Sequence, residues 1–489
     1  MKIWLLKASN SRCAVISAWI ALFALAALLV ACAPSHHNHA SKNEADDDAA
    51  GDDDSGPPSS SVWDGLSANG PAVGTILGMA TEMNDSSDPD WHRDFEISKL
   101  QESGLMRLRA SVDWGDVEPT RGDWHIDARD PFVNMILDAG IQFDGRLCYG
   151  VDWATPPGND SGMDPADFAG YAGAVAAHYC GTISSYEIWN EENISTFWKP
   201  RPDPDRFGLL MKAAALAIRQ ACPGTKVVFG GLSCFEADTF TDGFWYFLER
   251  VRWFHPDIGD YFDVLAIHPY TLIQYPSPEW SLTIGGFEWP DVPGQIRAAR
   301  ERLAAMGHPD TPIWITEYGW PSLFIGQEAQ AEYLVRGALL AIAEGAEAVD
   351  WYTFWDNDGH NPIPTEDYFG LFTWPDAPGG PKEKPAFRAA KGLTQVLGAA
   401  HFAKDISSDL KLPVGVYGLA FIDDNGRFYF AGWDSRPGMT TNLNLPSPPA
   451  ALYYKVLTDE GAQVSEGGAE SVAVKLSEHV LYVRFDAGK

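Results

Sequence analysis

The feature that most constrains the fold is an alternation of short apolar runs with longer helical segments, which begins at Thr75 and continues to about Ala400. Parallel strands need a crossover between them, usually a helix, so this alternation predicts a parallel sheet covered by helices. Eight strands close a (β/α)8 TIM barrel, and eight runs qualify as strands. They are Thr75–Ala80, Met106–Ser111, Gln142–Cys148, Ser185–Asn190, Lys226–Gly231, Asp263–His268, Pro312–Thr316 and Ala348–Phe354.

The segments between these runs carry helix signals. Asp164-Pro165 and Asp203-Pro204 each place a capping carboxylate before a proline at the first helical position. Apolar residues then recur at helical spacing, and a last helix from Pro385 to Leu397 completes the ring. A doubly wound open sheet is the alternative, but Gly74 to Thr81 lacks the GxGxxG turn that normally follows its first strand.

The pattern changes after Ala400 to alternating strands separated by turn formers such as Asp424-Asn425-Gly426. This predicts a small antiparallel β-sandwich over residues 401–489, after a catalytic barrel over residues 63–400. Support of the barrel is favoured over sugar binding as the role of the sandwich, because its sequence shows no obvious aromatic platform. The predicted strands are Val414–Phe421, Arg427–Trp433, Leu452–Leu457, Val472–Leu476 and Val480–Phe485.

The first 31 residues have the organisation of a bacterial lipoprotein signal peptide. Lys2, Lys7 and Arg12 precede an apolar run, and Leu29-Val30-Ala31-Cys32 ends it with small residues before a cysteine. We therefore expect cleavage before Cys32 and lipidation of that residue. Ala33 follows it, which by resemblance to the known sorting pattern indicates the outer membrane in a Gram-negative cell. A single transmembrane anchor is the alternative.

Residues 32–62 predict a disordered acidic tether, since His, Asn, Asp, Ser, Gly and Pro cannot bury enough apolar surface to fold. The whole chain has a formal net charge of −32. Nucleic acid is therefore a poor partner, because phosphate binding needs clustered Lys and Arg. The acidity also repels other polyanions.

Four cysteines remain after the predicted cleavage site: Cys148, Cys180, Cys222 and Cys234. Their spacing matches no zinc pattern, and we expect neither a metal nor a cofactor. Cys180 and Cys222 end the third and fourth helices, so both lie near the same face of the barrel and could form a disulfide. Burial as free thiols is the alternative.

Two carboxylates end strands on opposite sides of the predicted barrel. Glu191 follows the fourth strand and Glu317 ends the seventh. In this fold the active site lies at the carboxyl ends of the strands. Retaining glycosidases need one protonated carboxyl and one ionised carboxylate about 5 to 5.5 Å apart. Glu187 and Glu192 are alternatives to Glu191, but Glu187 lies deeper on the same strand face and Glu192 faces the other way.

The segment Ile188-Trp189-Asn190-Glu191-Glu192-Asn193, followed by Phe197-Trp198, resembles the acid/base segment of glycoside hydrolase family 39, in clan A. Thr316-Glu317-Tyr318-Gly319-Trp320 is similar to the nucleophile segment of the clan. The resemblance covers roughly residues 75–400 and implies Glu191 as general acid/base and Glu317 as nucleophile. These families usually carry Pro after the acid/base, where this chain has Glu192.

The same resemblance implies further substrate-binding residues. Arg109 matches an arginine that keeps the nucleophile ionised, and Asn190 matches the residue that hydrogen-bonds the sugar 2-hydroxyl. His268 and Tyr270 are expected beside Glu317, and Trp355 is expected to form the floor of the subsite for the cleaved sugar.

The sequence therefore predicts a retaining glycoside hydrolase that acts on an oligo- or polysaccharide. A transglycosidase with the same two carboxylates, and a sugar-binding envelope lipoprotein without catalysis, are the alternatives. Long segments at 271–292 and 356–381 are expected to wall the site, and they carry no motif that identifies the sugar, its linkage or the oligomeric state.

Overall fold

A computed structural model describes residues 61–81, 89–234, 243–271, 276–284, 287–361, 363–449, 451–468 and 471–486. The predicted signal peptide, Cys32 and all but the last two residues of the predicted tether lie outside these ranges. The described residues belong to one compact unit. Within the described ranges, no helix combines the length and the apolar composition needed to cross a lipid bilayer.

Eight parallel strands close into a barrel, which confirms the predicted fold class. Each of the eight predicted runs overlaps one barrel strand, and the strands that begin at Lys226, Ile313 and Ala346 extend beyond their predicted bounds. The ring is closed by pairing of the last strand with the first, through Val349 opposite Leu77. The barrel strands are β2 (Leu77–Ala80), β3 (Arg107–Ser111), β4 (Gln142–Leu147), β5 (Ser185–Ile188), β6 (Lys226–Ser233), β7 (Val264–His268), β10 (Ile313–Tyr318) and β11 (Ala346–Tyr352).

The helices that surround the barrel begin where their sequences predict. Asp203 accepts a hydrogen bond from the backbone N of Arg206 over 3.1 Å, and Pro204 occupies the first turn that follows. The described helices are α1 (Val73–Ile76), α2 (Asp90–Ser103), α3 (Trp114–Val117), α4 (Asp130–Asp138), α5 (Pro165–His178), α6 (Pro204–Ala221), α7 (Gly243–Phe254), α8 (Val292–Met306), α9 (Ser322–Ala343) and α10 (Pro385–Leu397). Short 3-10 helices lie at Ile126–Arg129, Asp160–Gly162, Ile258–Tyr261 and Pro364–Tyr368.

The interior of the barrel is polar as well as apolar. Arg107 contacts Asp144 over 2.6 Å and Asp350 over 3.7 Å, and its guanidinium lies 4.6 Å from the centre of the Trp314 ring. Burial raises the pKa of Asp350 to about 7, against the opposing effect of Arg107. A buried guanidinium needs partners of this kind, because an uncompensated charge in the interior is strongly destabilising.

A second sheet of seven strands has the order β1-β12-β13-β14-β19-β16-β17, and a two-stranded ribbon of β15 and β18 packs against it. The predicted antiparallel β-sandwich is present, with more strands than the sequence indicated. Its strands are β1 (Asn69–Ala72), β12 (Ala400–Asp405), β13 (Val416–Asp423), β14 (Phe428–Asp434), β15 (Thr441–Pro446), β16 (Tyr453–Leu457), β17 (Gln463–Gly467), β18 (Ser471–Leu476) and β19 (Leu481–Asp486). A separate hairpin comprises β8 (Leu282–Ile284) and β9 (Phe287–Trp289).

Residues that precede the barrel contribute to this second sheet. β1 pairs with β12, and the Trp63 indole donates a hydrogen bond to the carbonyl of Pro446 over 2.7 Å. The Trp63 ring packs edge-on against Phe428 and Phe485 in the sandwich core. The sequence patterns did not identify this contribution, because β1 is short and mostly exposed.

The sandwich meets the barrel at a buried ion pair. Arg336 of α9 donates from Nε to Glu279 over 2.7 Å, and the Trp433 indole of β14 donates to the same carboxylate over 2.9 Å. Glu279 lies in the long segment after β7 that was expected to wall the site. The sandwich therefore contacts one end of that segment where the segment meets α9, and its supporting role stays a prediction.

A disulfide joins Cys180 and Cys222, whose Cα atoms are 5.3 Å apart, and this confirms the predicted pairing. Cys148 and Cys234 are buried free thiols.

Candidate active site

Glu191 and Glu317 lie together at the carboxyl end of the barrel. Glu191 comes three residues after β5, and Glu317 is the penultimate residue of β10. One carboxylate oxygen from each and one imidazole nitrogen of His268 all lie within 4.8 Å of one another. Ser185, the first residue of β5, and Glu317 of β10 are 132 residues apart in the sequence. The closed barrel brings the two carboxylates together, because β5 and β10 face the same interior.

Glu317 is held between a cation and a phenol. Arg109 donates from Nη1 to Oε2 of Glu317 over 3.1 Å, and Tyr270 donates its hydroxyl to Oε1 over 2.7 Å. Two donors, one of them positively charged, stabilise the ionised carboxylate. Burial raises the pKa of Tyr270 well above its ordinary value, with the charge of Glu317 acting in the same direction, so the phenol keeps its proton.

Arg109 is itself held in place by Glu187 and Asn190. Its Nε donates to Glu187 over 3.2 Å, its Nη2 also bonds Glu187, and Nη2 donates to Oδ1 of Asn190 over 2.8 Å. Glu187 is therefore a buried structural partner of Arg109, as its deeper position on β5 predicted. Asn190 and Arg109 face the site together.

Glu191 has a different environment. Its side chain is about 10 % exposed, and Oε1 lies 3.0 Å from Nδ1 of His268. Burial raises the pKa of Glu191 well above its ordinary value, and the negative charge of Glu317 raises it further. Two carboxylates this close favour one protonated and one ionised member, and the guanidinium beside Glu317 determines which is which.

His268 is fully buried between the two carboxylates. Its Nδ1 is 3.9 Å from Oε2 of Glu317 and its Nε2 is 3.2 Å from the Thr316 hydroxyl. Burial lowers the pKa of His268 well below its ordinary value, with Arg109 and Arg146 acting in the same direction, so the imidazole is neutral. The sequence predicted His268 beside Glu317, and its shorter contact is with Glu191.

The turn that presents Glu191 has an unusual backbone. Trp189 and Glu191 have φ of 73° and 47°, in the left-handed region that side chains other than glycine seldom adopt. The Glu191 backbone N donates to the carbonyl of Gly231 over 3.0 Å. The Asn193 amide pairs with both the backbone N and O of Ser233, over 2.9 and 2.8 Å. These bonds tie the turn to β6 and compensate for the strained backbone.

Gly231 is required by the position of His268. A Cβ at residue 231 would lie 2.2 Å from Nε2 of His268, whereas a Cβ at Gly230 would lie 2.1 Å from Oε1 of Glu192. His268 and Glu192 therefore occupy opposite faces of β6. This agrees with the prediction that Glu192 points away from the site.

The arrangement has some features of a metal site, since two carboxylates and an imidazole converge. The guanidinium of Arg109 already compensates the charge of Glu317 from 3.1 Å. A second cation there would be opposed by that charge and by the raised pKa of Glu191, so the geometry suits proton transfer better than metal binding.

No protein-family model and no curated protein sequence matches the chain. Solved structures do. A family 39 glycoside hydrolase from Bacteroides cellulosilyticus superposes with a TM-score of 0.66 and 20 % identity over 86 % of this chain and 82 % of the other. A family 39 β-xylosidase from Caulobacter crescentus gives 0.61 and 17 %, over 86 % and 98 %. A family 30 endoxylanase from Clostridium papyrosolvens gives 0.57 and 12 %, over 86 % and 98 %.

The chain has a clan A glycoside hydrolase fold of the family 39 type. The shared architecture is the barrel together with its sandwich, in agreement with the resemblance noted in the sequence. At these identities the likeness concerns the fold, and the chemistry has to be argued from the site residues.

Glu192 stands where these families usually carry Pro, and in this family 39-like fold the substitution places a carboxyl group in the interior. Glu192 is fully buried, and neither carboxylate oxygen has a hydrogen-bond partner from another described residue. Burial raises its pKa well above the ordinary value, which favours the protonated form. The side chain packs behind the turn, against the backbone of β6 at Gly230.

Trp355 follows β11 and is half-buried. The centre of its ring lies 5.3 Å from the ring centre of Phe95 and 5.9 Å from that of Phe372. Its contact with the sugar stays a prediction.

Three residues near the site were not identified from the sequence. Arg146 donates to Oδ1 of Asn190 over 3.5 Å and to the Ser111 hydroxyl over 2.6 Å. The sequence did contain a signal for Arg146, because alternate residues of a barrel strand face the interior and a charged residue at such a position is a candidate for the site. The charge of Glu366 is among the influences that raise the pKa of Glu191, and the Tyr352 hydroxyl lies 3.4 Å from Oε2 of Glu366. No sequence pattern indicated Glu366, because a loop position depends on the path of the whole segment.

Proposed function

We propose that the protein is a retaining glycoside hydrolase in which Glu191 is the general acid/base and Glu317 is the nucleophile. The observation that carries the proposal is the separation of the two carboxylates, whose nearest oxygens lie within 4.8 Å. Retaining enzymes hold their carboxyl groups about 5 to 5.5 Å apart, whereas inverting enzymes leave about 6.5 to 9.5 Å for a water molecule. Among the known relatives of the fold, the β-xylosidase and the endoxylanase are enzymes that cleave glycosides.

In the first step, protonated Glu191 gives its proton to the glycosidic oxygen while ionised Glu317 attacks the anomeric carbon. The bond from that carbon to the leaving oxygen breaks, and an ester bond to Glu317 forms. The leaving group departs as a neutral alcohol. Arg109 and Tyr270 hold Glu317 in place for the attack through hydrogen bonds of 3.1 and 2.7 Å.

In the second step, ionised Glu191 takes a proton from water, and the hydroxide attacks the anomeric carbon as the ester bond to Glu317 breaks. His268 can serve Glu191 in both states, because neutral imidazole offers one donor and one acceptor. The Thr316 hydroxyl, 3.2 Å from Nε2, can accept or donate to match either tautomer. Two inversions at one carbon give net retention.

The stereochemical course tests this proposal directly. Proton NMR of the first sugar released from an aryl glycoside should show the anomeric configuration of the substrate. Release of the opposite anomer would contradict the assignment of Glu317 as nucleophile.

A transglycosidase would share the first step and pass the glycosyl group to a sugar hydroxyl. Competition between water and a saccharide acceptor distinguishes the two, since a hydrolase releases free sugar even when acceptor is present. A non-catalytic sugar-binding protein is disfavoured because both carboxylates are present and adjacent.

We also propose that the protein is an envelope lipoprotein, anchored through a lipidated Cys32 and sorted to the outer membrane in a Gram-negative cell. The support is the apolar segment Leu29-Val30-Ala31, which places a small residue directly before the cysteine. Mass spectrometry of the N-terminal peptide from native membranes should show acyl mass on Cys32. An unmodified, uncleaved N-terminus would contradict this proposal.

A further inference from the structure

Tyr270 contacts Glu317 from a segment that lies between a strand and a helix. β7 ends at His268 and α8 begins at Val292, so Tyr270 is the second residue of this segment and belongs to neither element. Its hydroxyl donates to Glu317 over 2.7 Å. A hydrogen bond weakens steeply as its length and angle depart from their preferred values. The strength of this bond therefore depends on what holds the backbone of Tyr270.

Gln295 joins the two ends of the segment. Its side-chain Nε2 donates to the carbonyl of Tyr270 over 3.2 Å and to the carbonyl of Pro290 over 3.3 Å. These two residues are 20 positions apart in the sequence. Gln295 lies in the first turn of α8, where Asp291 caps the helix by accepting a bond of 2.7 Å from the backbone N of Gly294. The amide thus attaches the base of the segment to a capped helix of the barrel.

The amide group of Gln295 is polar on a buried side chain, and only its donors are used. The residue is buried, and within the described ranges its Oε1 has no hydrogen-bond partner. A buried acceptor without a partner is destabilising, whereas an apolar side chain of the same shape would fill the space without that cost. The two bonds donated by Nε2 are therefore what distinguishes glutamine from such a side chain at this position.

The residue after Tyr270 is attached to the strand segment that carries Glu317. The Trp320 indole, three residues after Glu317, bonds the Thr271 hydroxyl over 3.0 Å and the carbonyl of Pro276 over 2.9 Å. Both Thr271 and Trp320 are buried. Trp320 holds the chain on one side of the Tyr270 carbonyl, and Gln295 holds the carbonyl itself.

We propose that Gln295 is a positioning residue that keeps the Tyr270 hydroxyl within hydrogen-bond distance of Glu317. The proposal rests on the proposed function and adds a residue that acts on the nucleophile only through Tyr270. The hydroxyl is at the end of a long rigid side chain, so a small rotation of the backbone moves it by a larger distance. Loss of the two bonds from Gln295 should therefore lengthen the contact with Glu317.

The first test is a double-mutant cycle with an aryl glycoside that the wild type cleaves. Gln295→Met removes both donors and keeps an unbranched side chain of similar size, and it should lower kcat/KM by at least about fivefold. In the Tyr270→Phe background the hydroxyl is already absent. There, Gln295→Met should lower kcat/KM by no more than about twofold further, because coupled residues give non-additive effects.

The second test follows the titration of Glu317, which does not require turnover. Carbon-13 NMR of protein labelled at the glutamate carboxyl carbons detects it, and Glu317→Gln assigns the signal. Tyr270→Phe and Gln295→Met should both move this titration to higher pH, because a donor to the ionised carboxylate is lost or weakened. Arg109, His268 and Glu191 also face Glu317, and both variants retain them. If no glycoside is cleaved, the proposed function fails, and this titration still decides the role of Gln295.

Leu303→Ala is the control, since it removes buried methyl groups from the same helix. It should lower the unfolding midpoint but leave kcat/KM within about twofold and the titration of Glu317 unchanged. If Gln295→Met does not fold, Gln295→Glu replaces it, because protonated glutamate keeps the shape and one donor and should give smaller changes in the same direction. Equal losses of kcat/KM with and without the Tyr270 hydroxyl would overturn the proposal. So would an unchanged titration of Glu317 in the folded Gln295 variant, or an equal shift in Leu303→Ala.

Discussion

Arg109 donates a hydrogen bond to Glu317 over 3.1 Å, whereas Glu191 lies 3.0 Å from the neutral imidazole of His268. Two carboxylates that share one site thus have unlike partners. The fixed cation stabilises the ionised state of Glu317, while burial and the charge of Glu317 favour the protonated state of Glu191. The division of roles between attack and proton transfer follows from this asymmetry.

Replacement of Arg109 should test the cation directly. Arg109→Lys keeps the charge but cannot bond Glu187, Asn190 and Glu317 together, so kcat/KM for an aryl glycoside should fall by at least about a hundredfold. Arg121→Lys changes an exposed arginine that pairs with Asp167 and should leave kcat/KM within about twofold. Equal activity of the wild type and folded Arg109→Lys would contradict the assigned role.

The two carboxylates should give different defects. Glu317→Ala removes the nucleophile and should lose nearly all turnover, while Glu191→Ala should retain more activity on substrates whose leaving group needs little protonation. Azide should restart Glu191→Ala with retained configuration and should give the inverted glycosyl azide with Glu317→Ala. Glu383→Ala removes an exposed carboxylate and serves as the control. Wild-type rates in both site variants would show that other residues carry the chemistry.

Glu192 should make folding stability depend on pH. Its folded pKa is raised by burial, so the folded state binds more protons than the unfolded state once the pH exceeds the unfolded value of about 4.3. Stability should then decline by up to about 1.4 kcal/mol per pH unit until the folded pKa is passed. Glu192→Gln should remove this decline and be more stable than the wild type at pH 8, with a smaller difference at pH 4. Denaturant titrations at pH 4 and pH 8 measure the free energy of unfolding of the wild type and of Glu192→Gln. A stability difference between the two proteins that does not change with pH would refute the explanation.

The contact between the sandwich and the loop after β7 should be important for stability. Glu279→Gln leaves the buried guanidinium of Arg336 without its closest ion-pair partner, which is expected to cost about 3 kcal/mol. Arg302→Gln breaks a solvent-facing pair with Glu249 and should cost no more than about 1 kcal/mol. Chemical denaturation of the two variants compares them. Similar unfolding midpoints would mean that the buried pair contributes little.

The barrel was predictable because its determinants are local. Alternation of apolar runs with capped helices repeats at each of the eight units, and each strand lies where its own residues indicate. The positions of Glu191 and Glu317 also followed from the sequence, since the carboxyl end of a barrel strand is a place that the strand itself defines. The disulfide between Cys180 and Cys222 was predictable for the same reason.

Other features depend on the meeting of distant segments, and no local pattern contains them. The contribution of β1 and Trp63 to the sandwich requires residues 61–72 to reach β12 and Pro446. The influence of Glu366 on the pKa of Glu191 depends on the path of the segment after β11. The sequence by itself determined the barrel and the two carboxylates, because hydrophobic periodicity and strand ends are properties of short stretches of chain. Only the tertiary structure decided that His268 lies closer to Glu191 than to Glu317, and that burial raises the pKa of Glu191, because both depend on groups that folding brings together.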